Sequence, residues 1–357
     1  GFSPSSSSFF HILYHILYIY IYRIQLYSMR RHTLVSSLAL LLLPGAAASR
    51  SVSWWFSIGE NTTTDAANLA YLASLPAEAV TRVMPDMGCI KGDGDEVYNN
   101  LPSTGSFCTN DTAQGVGIYY GDAYAWWHVE EAVQTWYPAL RKAVGPATKI
   151  CPWILDTSNA TLFHEKVLKN ATAFIADAVD IAKHYGFDGW HIDYEDERPV
   201  DTYPDKSDDL RTFLKQFSDA LHEENLELVI DVAGWSKLLS NYSSIAASGV
   251  DQLQNMAFYA RPGDYKTELQ NFYAEVKASN PKGWSKQAGI GIGVYYDGHN
   301  GYSEEWTEDN AKEFFAEIVR QGGEAVDIFR LCKNTVDDWP RADWWGKLIS
   351  DFATSAL

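Results

Sequence analysis

The chain has 357 residues, 46% of them hydrophobic, and a formal net charge of −18 at pH 7. Its length and hydrophobic content suit one large globular domain with a sizeable core. Because an acidic surface repels phosphates and anionic lipids, the charge excludes nucleic acid as a partner and disfavours stable membrane association. A neutral polymer such as a polysaccharide is compatible with it, and we expect a monomer without a cofactor.

The first 48 residues are predicted to precede the folded domain. Residues 1–28 combine a serine run with Tyr/Ile-rich low complexity, and we interpret them as a mis-extended start ahead of Met29. A basic beginning at Met29, the apolar run 34–43 and the small residues 46–48 then form the pattern of a secretory signal peptide over residues 29–48. We therefore expect a secreted, extracellular protein.

Glycosylation and cysteine pairing would both fit export. Beyond residue 48 the N-x-S/T sequons are at Asn61, Asn110, Asn159, Asn170 and Asn241. The cysteines are Cys89, Cys108, Cys151 and Cys332. In an oxidising compartment some of them should pair, and a Cys89–Cys108 disulfide bond that staples one loop is the preferred of three possible connectivities.

From Ser51 onward short apolar runs alternate with amphipathic stretches. The predicted strands are Val52–Ile58, Ala79–Met84, Lys149–Leu155, Gly189–Tyr194, Leu226–Val232, Gln254–Phe258, Gly289–Tyr295 and Ala325–Leu331. The clearest predicted helices are Val129–Val144, Ala160–Tyr185, Asp208–Glu224, Lys266–Ala278 and Thr307–Gln321, with Asp208 and Thr307 as N-caps. Residues Asp86–Trp126 are predicted to form a long loop that walls a cleft.

This alternation predicts a single (β/α)8 TIM barrel over residues 49–357, in the α/β class. An open doubly wound sheet is the alternative. It should carry a Gly-rich phosphate turn after an early strand, and none appears.

The stretch that ends the fourth predicted strand is the most informative one. Alternation along a strand places Gly189, His191, Asp193 and Glu195 on one face, and large apolar residues on the other. The apolar face suits the outer helices, so the polar line should point into the barrel. Glu195 comes last and should lie at the carboxyl-end mouth, where barrel active sites are found.

This placement suggests a proton donor. A carboxyl group beside apolar walls and a second carboxylate has a raised pKa, so Glu195 is a candidate general acid and Asp193 its neighbour that orients a substrate group. Asp196 and Glu197 follow as a solvated rim. The structural alternative for Asp193 and Glu195 is a buried ion-pair network or a surface acidic loop.

The run from Asp188 to Glu195, D-G-x-H-x-D-x-E, resembles the D-G-x-D-x-D-x-E signature of glycoside hydrolase family 18. That family comprises chitinases, endo-β-N-acetylglucosaminidases and non-catalytic lectins. The resemblance implies a retaining hydrolase that cleaves β-1,4 linkages next to N-acetylglucosamine with help from the substrate's own N-acetyl group. It implies that Glu195 is the acid/base, that Asp193 orients the N-acetyl group, and that Asp188 supports them.

Two further stretches resemble the family. Residues 255–259 are similar to its sixth strand, which implies that Met256 lines the subsite and that the Tyr259 hydroxyl contacts the N-acetyl carbonyl. Residues 291–296 are similar to its seventh strand, which implies that Tyr295 contacts sugar. Among the many tryptophans, Trp54 and Trp153 are candidates for stacking on sugar.

Two positions depart from the family. His191 occupies the place of the first acid, and we expect it to donate a hydrogen bond to Asp193. The eighth strand has no Trp, and Arg330 there suggests a charged or differently shaped substrate, or else an ion pair.

Three functions therefore remain open. A chitinase is preferred, with an endo-β-N-acetylglucosaminidase acting on N-glycans as the alternative. A non-catalytic chitinase-like carbohydrate-binding protein would also fit the barrel. A metal-dependent hydrolase would need ligands beyond His191, Asp193 and Glu195, and no second His has suitable spacing, so no metal is expected.

Overall fold

The computed structural model describes residues 50–56, 62–92, 117–120, 123–127, 130–156, 168, 171–194, 206–236, 239–296, 305–334 and 338–355. The chain divides into Gly1–Ala48 and Ser49–Leu357, and every described residue belongs to the second unit. The predicted leader and signal peptide lie outside the described residues.

Parallel strands form a closed ring. They are β1 (Ser51–Phe56), β2 (Arg82–Gly92), β5 (Lys149–Ile150), β6 (Trp153–Asp156), β7 (Gly189–Tyr194), β8 (Glu227–Val232), β9 (Gln252–Asn255), β10 (Ala288–Gly293) and β11 (Ala325–Leu331). The short β5 and β6 together form the third of eight barrel positions. Each of the eight barrel positions pairs with the next one, and β1 pairs with both β2 and β11, so the ring closes. The structure confirms the predicted (β/α)8 barrel.

A hairpin extends one side of this ring. Strands β3 (Gly117–Tyr120) and β4 (Ala123–Trp127) pair antiparallel with each other, and β4 pairs antiparallel with the end of β2. The prediction of one long loop over Asp86–Trp126 is therefore wrong for the described residues of this range, which form strands. Backbone hydrogen bonding from β2 continues into β4, so this segment lengthens the sheet.

Helices cover the outside of the barrel. They are α1 (Thr62–Ser74), α2 (Glu130–Val144), α3 (Ala171–Tyr185), α4 (Lys206–Glu223), α5 (Tyr242–Ala247), α6 (Tyr265–Ser279), α7 (Trp284–Gln287), α8 (Glu308–Arg320) and α9 (Trp344–Ala353). Thr307 is the N-cap of α8, as predicted, and it forms a capping box with Asn310. Asp208 is not an N-cap: α4 begins two residues earlier, and Asp208 lies in its acidic first turn.

The main hydrophobic core lies between the strands and these helices. The outward-facing Trp190 connects the strand layer to the helix layer, since its Nε1 donates to the Ala178 carbonyl of α3 at 2.8 Å. At Gly189, a Cβ atom would lie 2.2 Å from the Glu227 carbonyl oxygen, so only glycine permits the close pairing of β7 with β8. Across the described stretches, the membrane-span search finds no helix with the length and apolar character to traverse a bilayer.

Cys151 and Cys332 are buried, and neither forms a disulfide bond. Burial raises the pKa of the Cys151 thiol, and Asn334 donates a hydrogen bond to Cys332 Sγ at 3.2 Å. The Cys89 side chain and Cys108 lie outside the described residues, so that pairing stays a prediction. Of the sequons only Asn241 is described; it is exposed and caps α5 by accepting from Ser244 N at 3.1 Å.

Candidate active site

Strand β7 presents the predicted polar line to the barrel interior. His191 is fully buried and Asp193 is 5% exposed, while Trp190 and Tyr194 pack on the outer side with the core. This arrangement confirms the predicted alternation up to the last described residue of the strand. Glu195, the proposed acid, follows Tyr194 in the sequence and lies outside the described residues, as do Asp196 and Glu197.

The partner of His191 is Asp231 on the neighbouring strand β8. His191 Nε2 lies 2.9 Å from Asp231 Oδ2, and both side chains are completely buried. This corrects the expected hydrogen bond from His191 to Asp193. Burial, and secondly the charge of Arg82, hold the pKa of His191 well below its usual value, so the imidazole is neutral at pH 7.

Arg82 supplies the positive charge at the amino-end side of the interior. Its guanidinium binds Glu227 at 2.8 Å and donates to Gln252. Because both partners are on different strands, this group ties β2, β8 and β9 together. The ion pair is largely buried. The Arg82 charge opposes, but does not overcome, the rise that burial causes in the pKa of Asp327.

Trp55 replaces Trp54 as the interior tryptophan of β1. The Trp55 indole Nε1 donates to Asp327 Oδ2 on β11 at 2.7 Å. Trp54 points outward, is completely buried, and donates to the Ala79 carbonyl at 2.8 Å. The prediction that Trp54 contacts substrate is therefore wrong, because strand alternation turns it toward α1, where it meets the Tyr71 ring.

Trp55 is the centre of an aromatic floor. Its ring centroid lies 4.6 Å from His191, 5.2 Å from Trp153 and 5.5 Å from Phe329. Trp153 is partly exposed and faces the same interior as His191, its partner in the β6–β7 register. The floor thus joins four barrel strands, β1, β6, β7 and β11.

Tyr259 follows a 3-10 turn, Met256–Phe258, at the end of β9. Its ring stacks on Phe329 at 4.7 Å with an interplanar angle of 17°. A Cβ atom at Gly291 would lie 2.5 Å from Tyr259 Cε1, so the glycine creates the space for this ring. The Tyr259 carbonyl accepts hydrogen bonds from Gly293 N and Trp306 Nε1, both at 3.0 Å, which fixes the turn.

Tyr295 and Arg330 lie beside this stack. The Tyr295 ring is 5.6 Å from both Phe329 and Trp339, and the Arg330 guanidinium lies 5.9 Å from the Trp339 ring centroid. The structure therefore brings Tyr295 and Arg330 to the carboxyl-end side of the aromatic group. Met256 is buried in the turn before Tyr259.

Asp188 occupies the opposite end of β7. Its Oδ2 accepts hydrogen bonds from Arg141 at 2.5 Å and from the Ile150 backbone N–H at 2.9 Å. These contacts tie α2 and β5 to the amino end of the strand. Its supporting role is structural and is separated from the mouth by the length of β7.

The sequence reasoning missed Trp55, Asp231, Asp327 and Phe329. A signal was present for the acids: Asp231 and Asp327 each stand between two apolar residues of a predicted strand. A carboxyl group in such a strand indicates the interior, since its apolar neighbours face the helices. Within the part of the chain that the structure describes, no group of His, Cys, Asp and Glu is arranged to hold a metal ion.

Comparison with known proteins places the site in context. The model of glycosyl hydrolase family 85 matches residues 147–272, a segment from β5 through β9 into α6. No curated protein sequence matches the chain.

Several solved chitinases share the fold. The C-terminal domain of a putative chitinase from Desulfitobacterium hafniense has a TM-score of 0.58 at 14% identity, covering 85% of this chain and 99% of that one. A family 18 chitinase from Pseudoalteromonas aurantia has a TM-score of 0.54 at 10% identity, with the same coverage of both chains. A variant family 18 chitinase from Cycas revoluta in complex with (GlcNAc)4 gives 0.55 at 11% identity, covering 85% and 99%. The family match and this shared fold together support a glycosidase.

Proposed function

We propose that this protein is a glycoside hydrolase that cleaves a β-1,4 linkage next to N-acetylglucosamine with assistance from the substrate's N-acetyl group. One observation carries the proposal: Asp193 is buried on the inward face of β7, two residues before Glu195. The family 85 match covers both residues. A carboxyl pair at a barrel strand's carboxyl end is where barrel enzymes place their chemistry.

In this proposal Glu195 protonates the glycosidic oxygen as the N-acetyl carbonyl attacks the anomeric carbon. The leaving sugar departs as an alcohol, and a cyclic oxazolinium intermediate remains. Asp193 orients the N-acetyl group, and Tyr259 donates a hydrogen bond to its carbonyl. Water then adds at the anomeric carbon while Glu195 takes its proton, so the configuration is retained.

Of the two expected substrates, the N-glycan is better supported. The family 85 match comes from the sequence of the strands that form the site, and it favours an endo-β-N-acetylglucosaminidase. The likeness to family 18 chitinases rests on fold at 10–14% identity and leaves chitooligosaccharides as the second candidate.

Hydrolysis of a high-mannose N-glycan and of chitooligosaccharides by the wild type, Glu195→Gln and Asp193→Asn tests the proposal. We expect the wild type to release glycan with one N-acetylglucosamine left behind, and both variants to lose nearly all turnover. Asp196→Asn is the matched control and should change turnover little. Equal rates for wild type and Glu195→Gln would refute the acid assignment.

Two other outcomes would redirect the proposal. Glycan binding without turnover by the wild type would favour a carbohydrate-binding protein. Loss of activity in a chelator, restored by added metal, would favour a metal-dependent hydrolase.

We also propose that the protein is secreted and glycosylated. The apolar run before residue 48 and the exposed sequon at Asn241 support this. Expression in a eukaryotic host should yield a product in the medium that begins near Ser49 and becomes smaller after enzymatic deglycosylation. Retention of the product inside the cells would contradict the proposal.

A further inference from the structure

Trp235 is the exposed large hydrophobic side chain of the described residues, with 59% of its surface accessible. Single exposed apolar residues are common and by themselves indicate nothing. Trp235 differs through its position: it lies three residues after Val232, the end of β8, on the connection to α5. This is a carboxyl-end loop, the part of a barrel that binds substrate.

The turn that carries Trp235 is held in place on both sides of the residue. Ala233 and Ser236 are buried, and Ser236 N donates to the Ala233 carbonyl at 3.3 Å. Ser236 Oγ accepts from Leu239 N at 3.3 Å, and its carbonyl accepts from Ser240 N at 2.8 Å. An indole on such a turn is presented to solvent with little loss of backbone freedom on binding.

Two contacts link this turn to the site. The Tyr242 hydroxyl lies 3.4 Å from the Cβ position of Gly234, so it packs beside the turn. The same side chain interacts with the side chain of Asn255. Asn255 Oδ1 accepts a hydrogen bond from Ala257 N in the turn before Tyr259. Trp235 is thus attached, through Tyr242 and Asn255, to the segment that presents Tyr259.

Strand β8 is also the immediate neighbour of β7. Ile192 pairs with Ile230, so the two strands reach Tyr194 and Val232 at the same level. In the sequence, Glu195 follows Tyr194 and Ala233 follows Val232. The Trp235 turn therefore begins at the same strand level as Tyr194, the residue that precedes the proposed acid in the sequence.

We infer that Trp235 is a sugar-binding platform for glycan residues beyond the cleaved linkage. An indole face stacks on the apolar face of a pyranose ring, and the exposed Trp235 ring offers such a surface. The occupant is neutral carbohydrate, since the net charge of −18 disfavours anionic partners. The identity of the ligand rests on the proposed function; the platform itself rests on the placement of Trp235.

Binding of two ligands, measured in the Glu195→Gln background by calorimetry, tests this inference. The ligands are a high-mannose N-glycan and the N,N′-diacetylchitobiose disaccharide that contains only the core linkage. We expect Trp235→Ala to weaken binding of the full glycan by about 5- to 30-fold and to leave disaccharide binding unchanged. Trp235→Tyr keeps a stacking ring and should restore most of the affinity.

Several results would overturn the inference. One is equal affinity of Trp235→Ala and its parent for the full glycan. Another is an equal loss for both ligands, which would make Trp235 part of the core site. A third is a wild-type dimer, seen by sedimentation, that Trp235→Ala abolishes without changing glycan affinity.

The inference and the proposed function fail separately. If the wild type hydrolyses the glycan and Trp235→Ala does so equally well, the platform is refuted and the hydrolase is retained. Trp235-dependent glycan binding by a wild type that shows no turnover supports the platform and removes the hydrolase.

Discussion

Replacing Asp327 by Asn should change how stability depends on pH. Burial raises the pKa of Asp327 well above its ordinary 3.8, and this effect exceeds the opposing effects of the Trp55 hydrogen bond and the Arg82 charge. Asn keeps an oxygen that accepts from Trp55 Nε1 and cannot titrate. The variant should therefore fold with the same interior contacts, but its side chain at position 327 cannot bind or release a proton.

The sign follows from proton binding. Between pH 3.8 and its raised folded pKa, Asp327 binds a proton in the folded state and releases it in the unfolded state. Its stability contribution is complete below pH 3.8 and falls as pH rises, by about 1.4 kcal/mol per pH unit. Across that window, the free energy of unfolding of Asp327→Asn should therefore rise relative to wild type with this slope.

Urea unfolding monitored by circular dichroism, at intervals from pH 4 to 8, measures this difference. Asp309→Asn, at an exposed carboxylate in the first turn of α8, is the matched control and should run parallel to wild type. Parallel curves for wild type and Asp327→Asn would refute the assignment of Asp327 as a buried, protonated acid.

Four further substitutions separate structural from functional positions. Trp54→Phe should lower the free energy of unfolding by about 1–3 kcal/mol in urea titrations with kcat retained, whereas Trp55→Phe should depress kcat. An equal loss of kcat in both variants would contradict the assignment of Trp54 to the outer face and Trp55 to the inner face of β1. Gly291→Ala should displace the Tyr259 ring and reduce kcat/KM by about 10²-fold in steady-state assays, with unfolding cooperativity kept as the control. Asp188→Asn should cost about 1–3 kcal/mol of stability, and unchanged thermal unfolding would argue against its anchoring role.

The barrel could be predicted because its strands are short apolar runs with clear ends. The predicted bounds of β7 and β11 coincide with the observed ones, and the polar line of β7 required only alternation. The inward member of the Trp54–Trp55 pair could not be chosen in this way. Both faces of a barrel strand are buried, so two adjacent tryptophans carry no difference in hydrophobicity that identifies the interior.

The partner of His191 could not be predicted from the sequence for another reason. Asp231 lies on the next strand, and its approach depends on the register in which Ile192 pairs with Ile230. Register is a property of two strands and their helices together, which local spacing does not encode. The same limit applies to Trp55 and Asp327, which are 272 positions apart.

Ring closure by β1 has a consequence for biosynthesis. Ser51 pairs with Ala325, so the strand made first completes its hydrogen bonding only when the one made last has been translated. The hydrogen bond between Trp55 and Asp327 connects the same two strands. During synthesis the nascent β1 has an unpaired edge throughout elongation, a condition that favours chaperone dependence and slow final assembly. The floor of the site is thus the part of the barrel that matures last.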